Sequence, residues 1–206
     1  MGWKIAGTII IRAQIDDIDF KELLNDLDLE SPELTKVDNV PFWEAMDMGT
    51  NNVYIGSYKD NLIICDNNNV LGTSASFEKN ISSIEQRLIN HFPDTEICTI
   101  VLHSGVNLWG YSVIKNGQKI RARGGSWNDG TFLEYGSPLE QEKELLSQSI
   151  IDKDGNRVYL LDDYPGEPFS EDQVGEEFVS DIASRYFGIG LFCSSELLDT
   201  MLAGYA

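Results

Sequence analysis

Basic residues are scarce in this chain: 15 Lys and Arg face 34 Asp and Glu over 206 residues, a net charge of −19. Such a surface repels phosphate backbones and anionic membranes and attracts basic partners across a Debye length. Neither nucleic-acid nor membrane binding is therefore expected. Cysteines are equally few. Cys65, Cys98 and Cys193 are odd in number and lack metal-ligand spacing, and the first two sit in apolar runs, where a thiol behaves as a small hydrophobe. This argues for a reducing compartment without a disulfide framework. Long apolar runs are missing too. Ile5 to Ile11 is seven residues long and Arg12 ends it, too short for a membrane span and without a small-residue cleavage site. Gly2 makes no myristoylation signal, because Ala6 stands where Ser or Thr is needed. A cytoplasmic protein is expected.

The common site motifs are absent as well. Gly124-Gly125 lacks the Lys and Ser of a phosphate loop. Asp152-Lys153-Asp154-Gly155 places its glycine fourth, where a calcium loop needs it sixth, and reads as a polar hairpin turn. No cofactor and no metal are expected. Only two histidines exist, His91 and His103. His103 ends a strand-like run at a loop and is the one candidate acid or base, with no nucleophile elbow or second ligand beside it.

What is present is an alternation of strand and helix signals. β-branched and aromatic runs occur at 3–13, 53–59, 62–66, 96–103, 108–115, 118–124 and 157–162. The run from Ile97 to Leu102 is apolar apart from Thr99, which suits a strand covered on both faces. Asn116-Gly117 signals a tight hairpin, and Asp60-Asn61 a second one. Helices are expected after Ser82 with Glu85, after Ser137-Pro138 with Glu140, and after Ser170 with Gln173, each a capping pattern. The last carries Val174, Phe178, Ile182 and Tyr186 at four-residue spacing and can end at Gly188. A helix at 20–27 and a weaker one after Ser194 complete the set. Residues 28–52 read as a long irregular loop that either is functional or hides a short element. The expectation is a single α+β domain over 1–206. It has a mixed, largely antiparallel sheet, about four to five packed helices and a helical C-terminal part from 170.

Phase arithmetic across the Asn116-Gly117 hairpin sets Ser112 opposite Arg121 and Gly110 opposite Arg123. On that register Trp109, Tyr111, Val113, Ile120 and Ala122 form a core face, while Lys119, Arg121 and Arg123 line the outer one. An outward basic row pairs with the protein's own carboxylates, keeps the sheet face soluble, or forks onto a small anion, with Trp127, Asn128 and Asp129 nearby. A second cluster is acidic: Asp162 and Asp163, then Glu171, Asp172, Glu176 and Glu177 at the start of a helix. It reads either as a well-capped solvated helix or as a surface for a basic partner.

Several strings together resemble a family of uncharacterised bacterial proteins catalogued as a domain of unknown function. They are Met1-Gly2-Trp3-Lys4, Val53-Tyr54-Ile55-Gly56-Ser57-Tyr58, Ile63-Ile64-Cys65-Asp66, Leu102-His103-Ser104, Leu108-Trp109-Gly110-Tyr111, Ile120-Arg121 and Gly136-Ser137-Pro138-Leu139. The resemblance spans most of 1–165 and implies a bacterial, cytoplasmic protein with no assigned activity. The residues favour a non-catalytic acidic binding module, immunity- or antitoxin-like, with a basic protein as partner. The alternative is a small enzyme for an anionic substrate, with His103 as acid or base and Arg121 or Arg123 as anchor. Oligomeric state is not legible.

Overall fold

A computed structural model describes residues 4–13, 18–28, 35–47, 52–66 and 77–206. The strings at Met1–Trp3 and parts of the loop at 28–52 lie outside the described residues. Twelve strands are described. They are β1 (Lys4–Ile11), β2 (Lys36–Pro41), β3 (Val53–Tyr58), β4 (Asn61–Asp66), β5 (Glu96–His103) and β6 (Leu108–Lys115), then β7 (Gln118–Ser126), β8 (Gly130–Gly136), β9 (Ser149–Ile151), β10 (Arg157–Leu160), β11 (Pro168–Ser170) and β12 (Met201–Tyr205). Nine of them form one sheet in the order β2-β12-β3-β4-β1-β5-β6-β7-β8, and β11-β10-β9 form a small second sheet. Every described pairing is antiparallel, so the α+β reading holds and the mixed sheet does not.

Apolar residues cover both faces of the large sheet. One face packs α1 (Phe20–Asp26) and α3 (Ser83–His91) through Leu23, Leu24, Ile84 and Leu88. The other packs α2 (Phe42–Ala45), α4 (Lys143–Ser147), α5 (Gly175–Phe187) and α6 (Ser195–Leu198), with the small sheet beside them. β5 is buried along its length, as its apolar run requires. The expected four to five packed helices are mostly short: α2, α4 and α6 have four or five residues.

Several signals rest on interactions within a few residues, and the structure forms them. The Ser82–Glu85 capping box forms in both directions. Val174, Phe178, Ile182 and Tyr186 are all buried, and Gly188 ends α5 at φ +75°. The expected caps at Ser137 and Ser170 move, however: Ser170 ends β11, Glu171 and Asp172 lie in the turn after it, and α5 begins at Gly175. After Ser137 the helical turn begins only at Glu140, and Glu142 rather than Glu140 reaches back to the Leu139 N–H at 2.7 Å. The second hairpin turns on Lys59-Asp60 instead of Asp60-Asn61, with Lys59 at φ +52° and its Nζ donating to the Phe187 carbonyl.

Two further corrections come from long-range pairing. The irregular stretch contains β2 and α2, and the C-terminal part ends in β12, which lies between β2 and β3. Neither strand has a strong alternating pattern, so each needs the other to be recognised.

The hairpin register corrects the basic row. Asn116 and Gly117 take positive φ, and Ile114 faces Lys119, as expected. The ladder then shifts by one residue: Val113 faces Arg121 and Tyr111 faces Arg123, which leaves Ile120 as the extra residue. A one-residue slip turns every later side chain to the opposite face. Arg121 and Arg123 therefore enter the core beside Trp109 and Tyr111, and both are fully buried. Lys119 is also buried, on the other side of the sheet, and Ile120 is only partly covered.

Candidate functional site

The buried arginines are held by carboxylates from the C-terminal half. Arg121 Nε donates to both oxygens of Glu142 at 3.0 and 2.9 Å, and its Nη2 to Glu142 Oε1 at 2.6 Å. Its Nη1 donates to the Gly136 carbonyl at 2.8 Å. Glu142 also accepts the Tyr111 hydroxyl at 2.6 Å. Burial, then the Glu142 charge, holds the Tyr111 hydroxyl well above its usual range, so it stays protonated and keeps donating. Arg123 meets Glu171 and Tyr159, and its guanidinium lies 4.3 Å from the Phe178 ring centroid. Glu171 also takes the Tyr159 hydroxyl at 2.7 Å, the Thr131 hydroxyl and Arg157 at 3.5 Å.

This network latches the small sheet and the turn before α4 to the large sheet, and it fills the Arg121 fork, whereas Nε and Nη1 of Arg123 are buried without a hydrogen-bond partner among the described residues. Lys119 is likewise used: its Nζ lies 2.9 Å from Glu85 and donates to the carbonyls of Glu78 and Asn80. The three candidates for an anion site are thus split between two faces and paired internally. Trp127 is largely exposed, and Asp129 accepts from Ser126 in its own turn.

His103 is partly buried at the end of β5. Among the described residues no carboxylate bonds its ring, and its Nδ1 is buried without a hydrogen-bond partner. An imidazole without an orienting carboxylate lacks the support that general acid–base catalysts commonly use.

The acidic candidates divide. Glu171 belongs to the latch. Asp172 accepts from the Asn107 side chain at 2.8 Å. Asp162 and Asp163 are exposed in the loop after β10. Glu176 and Glu177 join Glu144, from α4, and Asp181, one turn further along α5, around a groove of about 400 Å³. Leu145 and Phe192 supply apolar lining, and no Lys or Arg lines it among the described residues. Glu144 and Asp181 were not foreseen. The four-residue step from Glu177 to Asp181 was visible in the chain, whereas the approach of α4 was not.

Elsewhere the protein neutralises buried acids: Glu85 has Lys119, Glu96 has Arg185 and Glu142 has Arg121. The groove's half-buried Glu176 and Asp181 and exposed Glu144 and Glu177 have no Lys or Arg beside them in its lining among the described residues. Burial, followed by repulsion from Glu144 and Glu177, lifts the Asp181 carboxyl from 3.8 to about 6. Burial and Glu177 raise Glu176 as well. Among the described residues no group of three or more His, Cys, Asp and Glu is placed to hold a metal ion.

The raised Asp181 makes a pH prediction. A carboxyl with a higher pKa folded than unfolded binds more protons when folded, so its penalty is present above about pH 6 and is relieved as pH falls towards 3.8. Asp181→Asn should therefore stabilise the protein at pH 7.5, by about 1–2 kcal/mol once solvent screening of this half-buried group is allowed for, and have little effect at pH 4. Urea titrations of both proteins across this range check it. An equal gain at both pH values would remove the ionic cause.

Among the described residues no helix is long and apolar enough to cross a membrane. The sequence model of a family of unknown function, DUF6928, matches residues 13–149. Neither a curated protein nor a solved structure matches the chain.

Proposed function

The chain belongs to DUF6928, a family of unknown function, and from its own residues we propose that it is a non-catalytic binding module for a basic protein partner. The groove between α4 and α5 is the receiving site, and Lys or Arg side chains of the partner are its ligands. The observation that carries this reading is that Glu144, Glu176, Glu177 and Asp181 share a groove that no described basic residue lines, whereas the buried Glu85, Glu96 and Glu142 each have one. A cation entering the groove removes the repulsion that folding left there, and the net charge of −19 speeds its approach. Neutralisation of a basic toxin or enzyme, the immunity-like role, is the biological form that agrees best with these features.

An oligolysine peptide tests the reading. Its affinity, followed by fluorescence anisotropy, should fall steeply as salt rises. The Glu177→Gln/Asp181→Asn protein should bind it about tenfold more weakly, a loss of about 1.4 kcal/mol. Equal binding by the two proteins at low salt would sink the assignment of the groove.

A further inference from the structure

Among the described residues, the small sheet beside the groove carries an apolar face left exposed. Tyr159 of β10 points into the core and is fully buried, so Val158 and Leu160 point the other way. Ile150 pairs with Val158, and Pro168 with Leu160, which puts all four on the outer face. Ile150 is 49% exposed and Leu160 40%. Tyr164, 56% exposed, stands in the loop that follows. Exposed apolar clusters with polar rims mark interaction surfaces.

The rim here is acidic at both ends. Asp152 and Asp154 lie in the β9–β10 turn, with Lys153 between them, and the backbone N–H groups of Asp154 and Asn156 fix the Asp152 carboxylate at 2.8 and 2.9 Å. Asp162 and Asp163 stand exposed at the far end of β10, with Glu167 beyond them. The two ends are separated by the four-residue strand, roughly 13 Å. The groove is adjacent: Gln148 lines it, and the next residue begins β9.

We propose that this outer face docks a segment of the basic partner that carries an apolar row between Lys or Arg residues. The apolar row covers Ile150, Val158 and Leu160, and the flanking cations meet the two acidic ends. A second copy of this chain is disfavoured as the occupant, because it would bring like-charged ends together. The inference rests on the basic partner proposed above and adds the apolar half of its recognition.

Three peptides test it on the intact protein: alternating Val and Thr between Lys-Arg pairs, the same row between Glu pairs, and oligolysine of equal charge to the first. The first should bind more tightly than oligolysine, and the acidic version should not bind. Ile150→Thr/Leu160→Thr should weaken the first about tenfold while leaving oligolysine unchanged, with an unaltered melting curve confirming the fold. Asp162→Asn/Asp163→Asn should slow association of the first and flatten its salt dependence. The inference is overturned if the first peptide binds no better than oligolysine, or ignores the Ile150/Leu160 change. It is equally overturned if the wild type sediments as a dimer that this change makes monomeric. Failure of oligolysine alone would count against the groove and leave this face standing.

Discussion

Arg121→Ala is expected to destabilise the protein by about 3–5 kcal/mol in a urea titration, because it strands Glu142 as an unpaired buried carboxylate. Both side chains are fully enclosed. Glu142 would keep the Tyr111 hydroxyl and the Leu139 N–H, two donors without a charge, and the Gly136 carbonyl would lose its donor. Arg121→Lys should rescue little. A lysine cannot present Nε, Nη1 and Nη2 together, and this site uses all three. The double variant Arg121→Met/Glu142→Met should lose less than the sum of the single changes, since it removes both charges at once. Additive losses would mean that the two groups stabilise the fold independently.

Trp109→Ala is expected to cost a similar 3–5 kcal/mol. Trp109 is fully buried, stacks on Phe178 with ring centroids 5.6 Å apart, and lies 5.4 Å from the Arg123 guanidinium. Its indole also presses on Gly175 at the start of α5, where an added Cβ would come within 2.1 Å of Cδ1. The cavity would therefore open between the large sheet and the helix that carries the groove. A loss below 1 kcal/mol would place Trp109 outside the cooperative core. Trp109→Phe should be much milder, because the indole Nε1 has no hydrogen-bond partner among the described residues and gives up none.

Both variants concern the same joint between sheet and helix, and they bear on function through it. Arg121 and Glu142 tie the start of α4 to β7, while Trp109 seats α5. Loosening either would move Glu176, Glu177 and Asp181 relative to Glu144, which stands on a different helix. Oligolysine affinity should consequently fall in Arg121→Ala even at temperatures where the protein remains folded.

The features legible in the chain are those whose cause lies within a few residues. Asn116-Gly117 turns because both tolerate positive φ, Ser82 and Glu85 cap each other across one helical turn, and the four-residue spacing of Val174, Phe178, Ile182 and Tyr186 makes one buried helix face. The acidity of Glu176 and Glu177 was equally plain. What the tertiary structure alone decided depends on partners far along the chain. β2 and β12 become strands by pairing with each other across some 160 residues. The one-residue bulge at Ile120 carries Arg121 and Arg123 from the solvent face to the core, and an ideal alternation cannot foresee it. Buried arginines are tolerated only with carboxylates in place, and Glu142 and Glu171 arrive from a later part of the chain. Glu144 joins the acids of α5 because two helices meet there. A single sequence states which charges exist, but the energy of each depends on what lies within a few ångströms of it, and only the fold sets that distance.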